Sequence, residues 1–289
     1  MPPIPATVTR FYGNPRFALD LLENRQVALV RVTRLNDPFD PYGFLELDFD
    51  GYAGLLRHVR QSHPNDRPWF RMSVTAQSWG RAEHDLKIYM QRLRSHTFVL
   101  CASAPGDVHP KNNLYMWGHY GNGHRGLAVE FDTSALGLAA LAHHSSQHGD
   151  PLVDGQPWVK IDYADSFRAI SAEDVFQFMR QEHEIDAGER QTREQTSLDR
   201  YYQQLSVIKS RVWQPENEWR LMWRSDTVTG DVYKIPVTPE CIKALYFGLA
   251  ISPDDAERVA DVATRDYPNA EIWRATKRHG DLALAFRRA

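Results

Sequence analysis

The chain has 289 residues, 42% of them apolar and 25% charged, with a net charge of −3, enough for one large α+β domain or two small ones with a sizeable core. A charge balance this even supplies no global basic field to hold a phosphate backbone, although a local basic cleft stays open. The opening Met-Pro-Pro-Ile-Pro-Ala-Thr has no charged stretch followed by an apolar one, and no apolar run nears the roughly 20 residues of a membrane span. The expectation is a cytoplasmic protein with no membrane partner. Cys101 and Cys241 lie in apolar runs that read as buried strands, which predicts free thiols, no disulfide and no zinc site.

Residues 7–12 (Thr-Val-Thr-Arg-Phe-Tyr) read as a short first strand. Asn14-Pro15 then starts a helix running to about Asn24, because an asparagine side chain caps and proline suits the first helical position. The β-branched run 26–32 predicts a second strand. It ends in Asn36-Asp37-Pro38-Phe39-Asp40, turn chemistry in which Asn and Asp bond their own backbone ahead of a proline.

Amphipathic helices are expected at 50–63 and 80–96, the second with Leu86, Tyr89, Met90 and Leu93 at helical spacing, and an ordered loop at 67–71 between them. Glu46, Asp48 and Asp50 lack the twelve-residue calcium-loop pattern and read as acids at a helix start. The near-continuous apolar run 97–103 predicts a strand covered on both sides. A helical turn from Leu114 gives way to Gly121, Gly123 and Gly126, where the backbone either turns with positive φ or approaches something closely. His119 and His124 are each either a hydrogen-bonding group in a cleft or an ordinary helix-end or loop histidine. A strand follows at 127–131, and Asp132-Thr133-Ser134 caps a helix that reaches His143. The histidines at 143, 144 and 148 have no acid or thiol placed to complete a tetrahedral metal site and read as surface loop. After a strand at 159–163, a mostly helical insertion spans 172–212 with a break near Ala187-Gly188.

Residues 209–224 are the most informative. From Glu216 the pattern has period two, with Glu216, Glu218 and Arg220 on one strand face and Trp219, Leu221 and Trp223 on the other, which must lie against a core. Two readings of the charged face stay open. One is a solvated outer face with a diagonal Glu–Arg pair worth at most about 1 kcal/mol. The other is a site wall, with an acid kept ionised by Arg220 or Lys209 and available to steady a developing positive charge. Strands at 231–237 and 242–247, a helix at 253–265 and strands at 271–277 and 282–286 complete the chain. The predicted fold class is α+β, a twisted, largely antiparallel central sheet flanked by helices, read as one domain over residues 1–289.

Three blocks, Asn36-Asp37-Pro38-Phe39-Asp40, then Leu114 to Asp132, then Glu216-Asn217-Glu218-Trp219-Arg220, resemble in order and spacing the bacterial family called domain of unknown function 2971, over roughly residues 8–250. The layout is similar to a distant ADP-ribosyltransferase fold. That resemblance implies a first strand whose His or Arg orients a dinucleotide, a short helix and second strand, and a late strand supplying a glutamate. The matching positions are the Arg10-Phe11-Tyr12 segment, the 26–34 strand, and Glu218 with Glu216 two residues earlier; Phe11 stands where relatives carry His between two aromatics. There is no Rossmann or P-loop glycine fingerprint.

The resemblance implies an ADP-ribosyltransferase-like enzyme that takes NAD as substrate, cleaves it at the nicotinamide–ribose bond and passes ADP-ribose to a protein or nucleic-acid acceptor. The implied setting is a toxin or phage-defence effector with a neutralising partner. Glu218, Glu216 and His119 are the candidate catalytic residues; Arg10, Tyr12, Trp117, Tyr120 and Arg220 are the candidate NAD-binding residues; no metal is expected. Two rivals stand beside it: a metal-independent nuclease or hydrolase with His119 and Glu218 as acid and base, and a non-enzymatic sensor in which the same residues are a buried polar network.

Overall fold

The computed structural model describes residues 2–37, 47–66, 75–147, 150–151, 157–166, 169–186, 206–225 and 227–289. In chain order the described elements are β1 (Thr7–Tyr12), α1 (Pro15–Asn24), β2 (Gln26–Arg31), α2 (Gly51–Ser62), α3 (Ala76–Ser95), β3 (Thr97–Ser103), α4 (Leu114–His119), β4 (Leu127–Asp132), α5 (Thr133–Gln147), β5 (Asp150–Pro151) and β6 (Trp158–Lys160). They continue with β7 (Asp162–Ala164), α6 (Ala172–Asp186), β8 (Ile208–Ser210), β9 (Glu218–Arg224), β10 (Val232–Pro236), β11 (Ile242–Phe247), α7 (Pro253–Asp266), β12 (Glu271–Lys277) and β13 (Leu284–Arg288). Short 3-10 turns lie at Val32–Arg34, Pro110–Asn112, Arg211–Glu216 and Pro239–Cys241.

Two compact units are formed, the first from Met1–Arg34, His96–Tyr163 and Arg211–Ala289, the second from Leu35–Ser95 and Ala164–Ser210. The first unit holds an open mixed sheet in the order β10-β2-β3-β1-β4-β11-β12-β13, with β9 paired to β3 and β5 and β6 paired to β9. Among its described pairs only β11–β12 is parallel. That pair is bridged by α7, the kind of crossover that parallel neighbours require.

Alternation along the strands separates two faces. Val8, Leu100, Val129, Leu221, Trp223, Leu245 and Phe247 build the main core with Leu19 and Leu22 of α1, Leu136 of α5 and Val259 of α7. The opposite face carries a smaller apolar cluster in which Phe11, Ala128 and Tyr246 meet Met116 and Trp117 of α4. The turn between α4 and β4 reverses through three left-handed residues, Asn122, Gly123 and His124. Gly126 ends it, and a Cβ there would lie 2.1 Å from the Tyr12 carbonyl oxygen, so only glycine lets β4 begin pairing at that point.

The second unit packs α2, α3 and α6 around Leu55, Val59, Trp79, Leu86, Ile170, Val175 and Phe176, with Leu47 bridging to Ile170. Helix α6 begins in a capping box in which the Asp174 amide donates to Ser171 Oγ (3.1 Å) and the Ser171 amide donates to the Asp174 carboxylate (3.2 Å).

The first helix, with its Asn14 cap accepting from the Arg16 amide, and the helix begun by Asp132, whose carboxylate accepts from the Ala135 amide, form as their capping residues predict. The helical expectation for 172–212 is corrected at its end: Ile208–Ser210 is a strand and Arg211–Glu216 a 3-10 turn with Pro215 inside it. Proline cannot donate the helical hydrogen bond, and Val207-Ile208 is β-branched. Residues 187–205, the 67–71 loop, Pro38-Phe39-Asp40, Glu46 and His148 lie outside the described residues. No helix among the described residues is long and apolar enough to cross a membrane.

Candidate functional site

The cross-strand registers of the first unit align Glu130 with Thr9, Thr9 with Ser103 and Ser103 with Glu218. Directly paired residues point to the same face of a sheet. A single row of four polar side chains therefore crosses β4, β1, β3 and β9 on the face away from the main core. All four are buried, at 8%, 0%, 2% and 2% exposure. Buried polar groups are normally hydrogen-bonded; the two acids at the ends of this row have partners, while the Thr9 hydroxyl in its middle has none.

At the β9 end, Glu218 accepts from Arg220 Nε at 2.7 Å, and Arg220 is fully buried. The solvated-face reading of this strand is thus corrected: desolvating both charges is costly and is offset only when the pair is well hydrogen-bonded. The Glu218 amide donates to the Tyr163 hydroxyl at 2.8 Å. Glu216 does not share the strand face expected for it. It closes the 3-10 turn, and Asn217 is left-handed (φ 44), which breaks the period-two register between the two acids. The Asn217 side chain donates to the Ala104 carbonyl (3.0 Å), and the Ala104 amide donates to the Asn217 carbonyl (2.9 Å), so this strained residue is held from both sides. Glu216, 3% exposed, accepts from the Tyr120 hydroxyl at 2.6 Å. Asn113 both caps α4, accepting from the Tyr115 amide (3.1 Å), and donates to the Pro215 carbonyl (2.7 Å). One side chain thereby ties the helix to the acid-bearing turn.

At the β4 end, Glu130 accepts from the Tyr246 hydroxyl, and His109 Nε2 lies 3.7 Å from its other oxygen. His109 Nδ1 accepts from the Lys111 amide (3.3 Å), so the ring's proton sits on Nε2, facing Glu130. Burial pushes the Glu130 carboxyl up, but the nearby His109 imidazole and the Tyr246 and Thr7 hydroxyls outweigh it and hold the group at about 2. Burial and the neighbouring Glu130 push the Tyr246 phenol well above its ordinary range. The Lys111 ammonium stands over the rings of Tyr246 (5.0 Å), Trp273 (5.6 Å) and Phe286 (5.8 Å), a cation–π arrangement.

A pocket of about 800 Å³ opens beside the β9 end, with Ser103, Asn113, Lys160, Tyr163, Glu216 and Asn217 in its wall. Its volume falls within the range of small-molecule sites, about 300–1,000 Å³. Glu216 and Asp107 supply its wall carboxylates, and Ser103 connects it to the polar row.

The predicted site residues divide. Glu216, Glu218, Arg220 and Tyr120 gather near this pocket. Arg10 and Tyr12 are one residue out of phase with Thr9 and belong to the opposite face; Arg10 donates to the Ala28 carbonyl (3.2 Å) and lies over the Tyr12 ring at 5.4 Å. The Tyr12 hydroxyl is buried among the core residues and its pKa is raised by that burial. On the face that Thr9 shares, Phe11 meets Trp117 edge-on at 5.0 Å, so the position that the resemblance gives to histidine is used for packing. Trp117 is fully buried, with its indole N–H on the Lys111 carbonyl (2.7 Å), and is core rather than a ring platform. His119 is exposed, its ring 4.3 Å from Tyr115 and 6.2 Å from Trp213. His124 stacks on Trp117 at 5.7 Å, a packing role.

Thr9, Ser103, Glu130, His109 and Tyr246 were missed by local reading. One signal was present: an acid inside the apolar strand Leu-Ala-Val-Glu-Phe-Asp is rarely buried without partners.

A family model described as protein of unknown function (DUF2971) matches residues 116–221. The matched stretch starts within α4 and ends in β9, and contains Tyr120, Glu130, Glu216, Glu218 and Arg220. It supports the likeness to that family over a shorter segment than the 8–250 expected. A search of curated proteins and a search of solved structures returned no match.

Proposed function

We propose that the first unit is an ADP-ribosyltransferase-like module that binds NAD in the 800 Å³ pocket and cleaves its nicotinamide–ribose bond. What supports the reading most is the placement of the two acids about the pocket: Glu216 in its wall, and Glu218 of β9 paired with Ser103 of β3, itself a wall residue. In the reaction the C1′–N bond breaks, its electron pair leaves with neutral nicotinamide, and the ribose becomes oxocarbenium-like. Glu218, accepting a hydrogen bond from the 2′-hydroxyl, stabilises that charge; an acceptor hydroxyl, amine or guanidine group, or water, then attacks C1′ and loses its proton. Arg220 orients Glu218 through the 2.7 Å hydrogen bond, and Tyr120 orients Glu216. Arg10, Tyr12 and Trp117 have no part in this reading, because two lie on the other face and the third is core.

A second reading has its own observation. The Tyr120–Glu216 and Asn113–Pro215 hydrogen bonds fasten α4 to the turn before β9, as a purely structural network in a sensor module would. The nuclease reading, which needs His119 beside Glu218, is weakened by an exposed His119 and a buried Glu218.

The experiment is a titration of the full chain and its Glu218→Gln variant with NAD, reading binding heat and released nicotinamide, with lysate as a source of acceptors. Wild-type binding and release, with binding but no release by the variant, supports the transferase. Absence of binding by both at millimolar NAD overturns it and leaves the structural network.

A further inference from the structure

The second unit brings together three side chains that local sequence spacing does not connect. His58 lies on α2, His63 is the residue that terminates α2, and Glu173 is in the first turn of α6. His58 Nε2 and His63 Nε2 converge on the same oxygen of Glu173, at 2.7 and 2.6 Å. The separation in sequence is 115 and 110 positions. Among the described residues, this is the group of histidine and acid ligand atoms that all fall within 4.8 Å of one another.

Two of the three members are held from outside the group. His63 leaves the helical conformation (φ −129, ψ 60) while its amide still donates to the Val59 carbonyl, which swings the ring back towards His58 at 5.6 Å. Its face stacks on Phe176 at 4.3 Å, and its Nδ1 lies 3.8 Å from the Asp66 carboxylate, which in turn lies 3.9 Å from Arg180. The free oxygen of Glu173 accepts from Gln177 at 2.7 Å. An imidazole whose far nitrogen faces a carboxylate, and a carboxylate oriented by an amide, are the outer contacts that fix metal-binding side chains. The side chains remain 25%, 20% and 43% exposed, so the place where their ligand atoms converge is open to solvent.

We propose that His58, His63 and Glu173 bind one divalent transition-metal ion of the zinc class, with solvent completing the coordination. Two imidazole nitrogens and one carboxylate oxygen suit borderline ions and disfavour magnesium and calcium, which take oxygen ligands. In a tetrahedral site with bonds of about 2.0–2.1 Å, neighbouring ligand atoms stand about 3.3 Å apart. Admitting the ion therefore requires both Nε2-to-oxygen distances to lengthen by about 0.6–0.7 Å while both Nε2 atoms lose or redirect their protons. Glu173, the most exposed of the three, is the member free to make that shift.

The test uses the full chain stripped with chelator and titrated with zinc alone by calorimetry, and with cobalt(II) by visible absorption. One ion per chain, a tetrahedral cobalt band, and affinity lowered by more than about a hundredfold in His58→Ala, His63→Ala and Glu173→Gln are expected, since loss of an outer partner alone costs about 10–100-fold. The exposed His84→Ala control should bind as wild type does. A readout on unmutated protein guards against misfolded variants: zinc should protect His58 and His63 from diethyl pyrocarbonate, mapped by mass spectrometry. Zinc bound equally by wild type and all three variants, or no protection at these two histidines, overturns the site.

Discussion

Tyr120 and Glu216, 96 positions apart in sequence, meet through a 2.6 Å hydroxyl-to-carboxylate hydrogen bond that closes α4 onto the turn leading into β9. Tyr120→Phe removes one donor from a buried carboxylate. It should lower stability by about 1.5–3 kcal/mol, the range for hydrogen bonds to charged groups. Urea denaturation measures it as a lower midpoint with an unchanged slope. An unchanged midpoint would mean that solvent replaces the phenol and the turn is not fastened there.

The Glu218–Arg220 pair makes a larger and asymmetric claim. Arg220→Ala leaves a buried carboxylate without the guanidinium that balances it, and removing one partner of a buried pair costs about 3–5 kcal/mol. Equilibrium unfolding should therefore rank Arg220→Ala as more damaging than Tyr120→Phe. The reverse order would show that Arg220 is replaced by other donors.

Glu130 sets an acid limit. Its folded pKa, about 2, lies below the ordinary carboxyl value, so the unfolded chain takes up the proton first on acidification. Its stabilisation is complete above about pH 4.5 and is lost as pH falls from there towards 2, on the order of 3 kcal/mol in all. Glu130→Gln should flatten the wild-type fall in stability across that window. Parallel pH profiles for the two proteins would refute the assignment.

Arg10 tests which face of the sheet binds ligand. Because Arg10 faces away from Glu218 and the pocket, Arg10→Ala should leave NAD affinity within about twofold of wild type, the scatter expected of independent sites. A large loss of affinity would put the dinucleotide on the other face and remove the pocket from the proposal.

Local rules were good guides where one segment carries its own answer. Asn14-Pro15 starts α1, Asp132 caps α5, and the apolar residues Trp219, Leu221 and Trp223 do line the core as their alternation predicts. The same rule misjudged Glu216, because one left-handed asparagine between the two acids resets the period. Arg10 and Tyr12 stand apart from the pocket for a related reason: adjacent residues on a strand point to opposite faces, so positions one residue from Thr9 lie on the other side of the sheet.

By itself the sequence determined most elements, the largely antiparallel sheet class and the strand on which Glu218 and Arg220 sit, since these depend on periodicity and capping within a few residues. The row Glu130–Thr9–Ser103–Glu218, the burial of its acids, and the meeting of His58 and His63 with Glu173 were decided only by the tertiary structure. Each depends on hydrogen-bond register or helix packing between segments far apart in the chain, and no local pattern encodes which distant residue will stand opposite.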